Sequence, residues 1–426
     1  MRYTSTSSDK VSVSFKEAVL ANLPSDGGLF FPAEIPQLSK EFIGSLADKS
    51  VAESAFHVLS HFCQPDLPES ILQGIVERVF SFDLPLKKLS SDLFSLELFH
   101  GPTYAFKDIG AKFLAECIAY FNEVDSQKMP TTVLVATSGD TGGAVANGFY
   151  KIEGINVVIL YPSGKVSVLQ EKQLTTLGEN ITALEVDGDF DACQALVKAA
   201  FADADLNNKM RLSSANSINV ARWIPQSLFY FQPFIRGLEN PVFAVPSGNY
   251  GNLTSGLLPM KMGLPIRKFI AASNANDVVP RFLQSRQYSP QNTIPTYANA
   301  MDVSDPSNFS RMIKLYKERE SLFEEVLPFS LHDDEILKEI ENSFKKEDYL
   351  LCPHSVIAKK ALESVEGNEK VFLSTAHYCK FQPVMEKALG RQLDVPSFAN
   401  DLMQLPKKVI SMNAEFETFK SFLMER

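Results

Sequence analysis

Short apolar runs rich in β-branched residues alternate with longer stretches of helical periodicity through much of this chain. Thr132-Val-Leu-Val135, Asn156-Val-Val-Ile-Leu160 and the run from Ile181 to Val186 read as strands, while Gly142 to Tyr150, Val166 to Leu177 and Asp191 to Ala202 read as helices. The alternation returns after Asn240, with strands at Val242-Phe-Ala-Val245, Lys268-Phe-Ile-Ala-Ala272 and Val371-Phe-Leu373 and a helix from Leu253 to Met262. Such alternation predicts an α/β protein with two open, twisted blocks. Gln226 to Arg236, rich in Phe and Tyr, reads as a buried helix, and the charged segment Asn308 to Lys346 as helical throughout. Ahead of the blocks, polar segments, a turn at Asp26-Gly-Gly28 and helical spacing from Val51 to His61 predict a small, mainly helical N-terminal domain. The expected domains are therefore 1–95, 96–235 and 236–426.

Composition narrows what such a protein does. With 426 residues, 45% of them hydrophobic and 22% charged, it has the make-up of a soluble multidomain globular protein. A formal charge of -10 argues against nucleic acid or an anionic membrane as the main partner, so an anionic substrate needs a local positive site. The cysteines, at 63, 117, 193, 352 and 379, form no CxxC pair and are odd in number, which points to a reducing, cytoplasmic setting. The N-terminus lacks the apolar core of a signal peptide, and no stretch approaches a membrane span. His57 and His61 stand one helical turn apart near Cys63, but no Glu or further ligand pair completes a zinc pattern, so no metal is expected.

In open α/β sheets, ligands gather beyond the carboxyl ends of strands, where the next helix offers unpaired N–H groups. That rule selects Thr137-Ser-Gly-Asp-Thr-Gly-Gly143, Pro246-Ser-Gly-Asn-Tyr-Gly-Asn252 and Ser374-Thr-Ala-His377. A loop such as Ser247 to Asn252 can wrap a phosphate or be a plain capped turn, and composition alone leaves the two even. Tyr161-Pro-Ser-Gly-Lys-Val-Ser167 resembles the end of a P-loop but has Val166 where a magnesium-binding hydroxyl is needed, and no G-x-G-x-x-G opens a helix. Lys107, in His100-Gly-Pro-Thr-Tyr-Ala-Phe-Lys-Asp-Ile109, follows Tyr104, Ala105 and Phe106, which could desolvate its amine and leave it nucleophilic. Pairing with Asp108 is the competing reading.

Together with Asn216-Ser-Ile-Asn219, Ala300-Met-Asp-Val303, Cys352-Pro-His-Ser355 and Ser374-Thr-Ala-His-Tyr-Cys-Lys-Phe381, these stretches resemble the threonine synthase family over almost the whole chain, in its longer branch with an extra N-terminal domain. The resemblance implies the type II pyridoxal-phosphate fold (tryptophan synthase β-like) and the cofactor pyridoxal 5'-phosphate, with Lys107 as the Schiff-base lysine. It implies that Ser247, Gly248, Asn249, Tyr250, Gly251 and Asn252 hold the cofactor phosphate and that Thr375 meets the pyridine nitrogen. Asp140 stands where related enzymes carry Asn beside the cofactor's 3'-oxygen. Thr141, Asn216, Ser217 and Arg222 would bind the substrate phosphate, and Thr137 and Ser138 its carboxylate. The activity implied is conversion of O-phospho-L-homoserine and water to L-threonine and phosphate, by a monomer or homodimer. A serine/threonine dehydratase or a non-catalytic relative would be the alternatives. For His377 a role in supporting its loop is favoured over contact with the cofactor.

Overall fold

The structure, a computed structural model, describes residues 1–126, 129–137, 139–318 and 322–425. Two sheets dominate it. The larger has six strands in the order Val326–Ser330, Lys268–Ser273, Val242–Pro246, Lys370–Ser374, Leu93–Glu97 and Leu86–Lys88. All neighbours are parallel except the last pair. The smaller sheet has five parallel strands in the order Val409–Asn413, Ile181–Asp187, Ile155–Pro162, Thr131–Ala136 and Arg211–Ser214.

The β-branched runs make strands because both faces of each sheet are covered, and every residue of Val242–Pro246 is buried. One large core joins Phe243, Val245, Phe269 and Leu373 of one sheet to Val133, Val135, Val157 and Ile159 of the other, together with the N-terminal helices. Helix Lys107–Glu123 runs through it and buries Ile109, Phe113, Leu114, Cys117, Ile118 and Phe121. Gly110 lets that helix approach closely, since a Cβ there would lie 2.6 Å from the Arg222 carbonyl oxygen.

Each strand and helix expected in the two blocks is present within a few residues of its expected ends. Sheet membership, however, does not follow sequence order. Leu93–Glu97 and Leu86–Lys88, read as part of the N-terminal region, lie in the larger sheet, because Leu93–Glu97 pairs with Lys370–Ser374. Val409–Asn413, near the end of the chain, instead extends the smaller sheet beside Ile181–Asp187. The segment 308–346 is not helical throughout: Val326–Ser330 interrupts it as the edge strand of the larger sheet. Pro328 has no N–H to continue a helix, and an edge strand tolerates that loss. The aromatic stretch is buried as expected, but as 3-10 helix Ile224–Phe231 followed by one α-turn, Gln232–Ile235, with Pro225 and Pro233 preventing a continuous α-helix. The N-terminal region is mainly helical, with one two-stranded sheet, Tyr3–Ser5 with Phe30–Pro32. There His57 stacks on Phe42, and Cys63 is buried in the core. No helix among the described residues is long and apolar enough to cross a membrane.

Candidate active site

The carboxyl ends of strands from both sheets converge around Lys107. The loop before this lysine is joined to the loop after Lys370–Ser374 by backbone hydrogen bonds: Phe106 N–H donates to the Thr375 carbonyl (2.9 Å) and His377 N–H to the Tyr104 carbonyl (3.0 Å). Tyr104 takes a left-handed conformation (φ 58°) to make this turn. Thr375 N–H donates to Ser355 Oγ (3.1 Å), and the Thr375 hydroxyl has no hydrogen bond among the described residues. Lys107 Nζ also lacks a hydrogen bond or ion pair there; it lies 5.8 Å from the Phe106 ring centroid. Burial lowers its pKa, Asp140 opposes that shift, and the charges of Arg222 and Lys380 add to it. Pairing with Asp108 is not what the structure contains: Asp108 accepts from Thr103 N–H (2.9 Å) and from the Thr103 hydroxyl. Burial raises Asp108 to about 6 against those bonds.

The side formed by the smaller sheet carries the charge. Asp140 begins helix Asp140–Phe149, and its Oδ1 accepts from Gln170 Nε2 (2.9 Å) and meets Lys380 Nζ at 2.8 Å. Burial alone would raise this carboxyl, but Lys380 and Lys107, with the hydrogen bonds from Lys380 and Gln170, hold it well below its ordinary range. Arg222 is buried with no carboxylate partner among the described residues. Its Nη1 donates to the Ala215 carbonyl (2.6 Å), its Nε has no partner among them, and burial lowers it to about 10. Thr141 keeps its hydroxyl without a partner among the described residues, whereas the Thr137 hydroxyl accepts from Gly139 and Gly142 N–H (3.1 and 2.9 Å) and so orders its own loop. Ser138 lies outside the described residues. Asn216 is exposed, and Ser217 Oγ accepts from Asn249 Nδ2 (3.0 Å), tying this side to the next.

The side formed by the larger sheet is an uncharged cup. Ser247 donates its hydroxyl to the Val245 carbonyl (2.9 Å), and Tyr250 is left-handed (φ 58°) just before helix Gly251–Lys261. A Cβ on Gly248 would lie 2.5 Å from Met301 Cα, so this glycine is required by the strap that backs the cup. Asn249 Oδ1 accepts from Ser307 N–H (2.7 Å), and its carbonyl accepts from Asn308 Nδ2 (3.1 Å). Asn252 accepts from the Tyr230 hydroxyl (2.9 Å) and leaves its own buried Nδ2 unsatisfied. An amine and two threonine hydroxyls without partners among the described residues, with orphaned nitrogens on Arg222, Asn252 and His354, are what a polar, phosphorylated ligand would satisfy.

The chain matches the family profile "Threonine synthase N terminus" over residues 2–80, "Pyridoxal-phosphate dependent enzyme" over 83–375 and "Threonine synthase, C-terminal" over 355–423. It is 43% identical over 418 residues to a threonine synthase of Serratia marcescens, which covers 97% of this chain and 96% of that protein. The chain belongs to the threonine synthase family. Among solved structures, the Escherichia coli threonine synthase matches all of both chains at 40% identity and a TM-score of 0.91. The pyridoxal-phosphate-bound threonine synthase of Brucella melitensis matches 100% of this chain and 99% of its own at 34% identity and a TM-score of 0.94. A tomato (Solanum lycopersicum) threonine deaminase, at 13% identity and a TM-score of 0.56, shares the fold alone. Membership of the threonine synthase family makes this a pyridoxal-phosphate-dependent enzyme of the type II fold.

Several residues around this threonine synthase site carry no signal of their own in the sequence. Lys380 is one, although it lies within the Ser374 to Phe381 motif. His354, in Cys352-Pro-His-Ser355, accepts Ala300 N–H through Nε2 (3.1 Å) and so pins the strap behind Gly248. Burial lowers it to about 4. Arg311 donates to the carbonyls of Phe30 (2.9 Å) and Ile218 (2.6 Å) and to Asn308 Oδ1 (2.8 Å), joining the N-terminal region to both sides of the site. His377 accepts Cys379 N–H (3.3 Å) and packs against Phe398, a loop-supporting arrangement.

Proposed function

We propose that this threonine synthase converts O-phospho-L-homoserine and water into L-threonine and inorganic phosphate, with Lys107 carrying the cofactor and moving protons at the substrate. When bound, pyridoxal phosphate supplies an electron sink that makes the substrate Cα–H and then Cβ–H acidic. The observation that carries the assignment is the partly buried Lys107 amine, without a hydrogen bond or ion pair among the described residues and with its pKa lowered by desolvation: this favours the free amine that holds the cofactor and, once released, takes the Cα proton. The backbone of Ser247 to Asn252 and the Asn252 amide hold the cofactor phosphate, and the Thr375 hydroxyl meets the ring nitrogen. A hydroxyl, unlike a carboxylate, does not stabilise a proton there.

Arg222, with Thr141, Asn216 and Ser217, binds the substrate phosphate. Its unpaired, buried guanidinium supplies the positive site that an acidic chain otherwise lacks. In the net reaction the Cγ–O bond to phosphate breaks, Cγ gains a proton, and Cβ exchanges a proton for the hydroxyl of water. Thr137 acts by shaping its loop, with Ser138 as the carboxylate ligand. A cytoplasmic monomer or homodimer accords with the five unpaired, buried cysteines.

The test is phosphate release and product identification with O-phospho-L-homoserine and pyridoxal phosphate. Threonine and phosphate in equal amounts are expected. Cofactor binding without phosphate release, but with turnover of serine or threonine, would replace this reading by a dehydratase.

A further inference from the structure

Lys380 is fully buried, yet it lies among side chains that carry charge. Its ammonium meets three acceptors that match its three N–H bonds: Asp140 Oδ1 at 2.8 Å, the Thr103 carbonyl at 2.7 Å and Gln173 Oε1 at 3.0 Å. Gln173 Nε2 in turn donates to the same Thr103 carbonyl (3.0 Å). A saturated ammonium is neither a nucleophile nor a substrate ligand. Its effect passes through Asp140, whose Oδ1 is held by Lys380 and Gln170 while Oδ2 has no hydrogen bond among the described residues.

We propose that Lys380 is a positioning residue: it fixes Asp140 as a carboxylate at the cofactor pocket, so that Asp140 Oδ2 can only accept a proton-bearing partner and the Lys107 nitrogen works opposite a permanent negative charge. An asparagine at 140 could donate as well as accept; an aspartate clamped by an ammonium cannot. Among the described residues, the other charged and titratable groups facing this pair are Lys107 and Asp108 from helix Lys107–Glu123, His377 and Cys379 beside Lys380, Cys352 and His354 at the start of helix Pro353–Ala361, and Arg222 across from Lys107. None of them contacts Asp140 as closely as Lys380, and a buried carboxylate deprived of its counter-ion takes up a proton. The pair therefore keeps the proton on Lys380 and the negative charge on Asp140.

The inference rests on Lys107 carrying the cofactor. That reading would fail separately, as an unchanged cofactor absorption band in Lys107→Ala. The experiment is a pH titration of the bound-cofactor absorption in the wild-type holoenzyme, Lys380→Met, Asp140→Asn and the double variant, with infrared difference spectra of the carboxyl region. Lys380→Met should lower the spectral midpoint by about 1–3 pH units, as loss of a nearby opposite charge does. It should also show a protonated-carboxyl band that the wild type and the double variant lack, additional to that of Asp108. Asp140→Asn should shift the midpoint the same way, and the double variant should match it. An unmoved or raised midpoint in Lys380→Met, or additive shifts in the double variant, would overturn the proposal. If Lys380→Met alone fails to fold, a folded double variant with the Asp140→Asn midpoint supports the pairing. A double variant that also fails to fold assigns Lys380 to stability through Thr103 and Gln173, and overturns it.

Discussion

The two glycine-rich loops, 137–143 and 247–252, look alike in sequence, and both join a strand to a helix at the same cleft. Their surroundings differ in kind. The loop at 247–252 is neutral, and its partners are carbonyls, amides and hydroxyls from Val245, Ser217, Ser307 and Asn308. The loop at 137–143 brings a carboxylate to Lys380 and Lys107, with Arg222 nearby. A phosphate placed against the neutral loop would be met by oriented dipoles, whereas the other loop would set full charges beside a ligand. The difference teaches that loop composition reports a ligand, while the charge partners, far away in sequence, report the chemistry.

Removing charge from the catalytic side should have the largest effect on turnover. Arg222→Ala is expected to lower kcat/KM for O-phospho-L-homoserine by about 10- to 100-fold, the scale of a lost charge-assisted hydrogen bond, with cofactor absorption retained. Steady-state kinetics beside a cofactor spectrum checks this, and equal loss of both would erase the contrast between the two sides.

An intermediate effect is expected behind the neutral cup, in its response to acid. His354 is lowered from 6.5 to about 4 by burial, so its contribution to stability is complete above about pH 6.5 and is lost as pH falls through about 4. Asp108, raised to about 6, has the opposite slope: its contribution is present below its ordinary 3.8 and lost as pH rises through about 6. Urea unfolding of wild type and His354→Gln between pH 4 and 7 separates the two, because the difference between the proteins cancels Asp108. The wild type should lose up to about 3 kcal/mol relative to the variant on acidification.

The smallest effect belongs to Tyr250→Phe. Ser273 donates to the Ser247 carbonyl (3.1 Å), so the Tyr250 hydroxyl is the donor in its 2.5 Å bond to Ser273. Losing it should cost about 1 kcal/mol in thermal unfolding and leave cofactor affinity unchanged, because the cup presents Tyr250 through its backbone.

Much of this was legible beforehand. The core strands announced themselves as β-branched runs because parallel strands buried on both faces need nothing else. Val326–Ser330 did not, since it is short, contains Pro328 and lies between charged helices. Lys107 stands out in the sequence only through its aromatic neighbours and the family motif, and the structure adds that its amine has no hydrogen bond or ion pair among the described residues. Lys380 carries no such signal, because a lone lysine reads as a solvated surface charge. Only the fold gathers its acceptors from Thr103, Asp140 and Gln173, and the same holds for Arg311 and its carbonyls from Phe30 and Ile218.

Two lysines, the partly buried Lys107 and the fully buried Lys380, therefore face one pocket, and only Lys107 has an amine without a partner among the described residues. Borohydride reduction of the holoenzyme followed by peptide mapping should place the cofactor mass on the peptide containing Lys107, with Lys380 unmodified. Cofactor mass on Lys380, or on any lysine other than Lys107, would contradict the account.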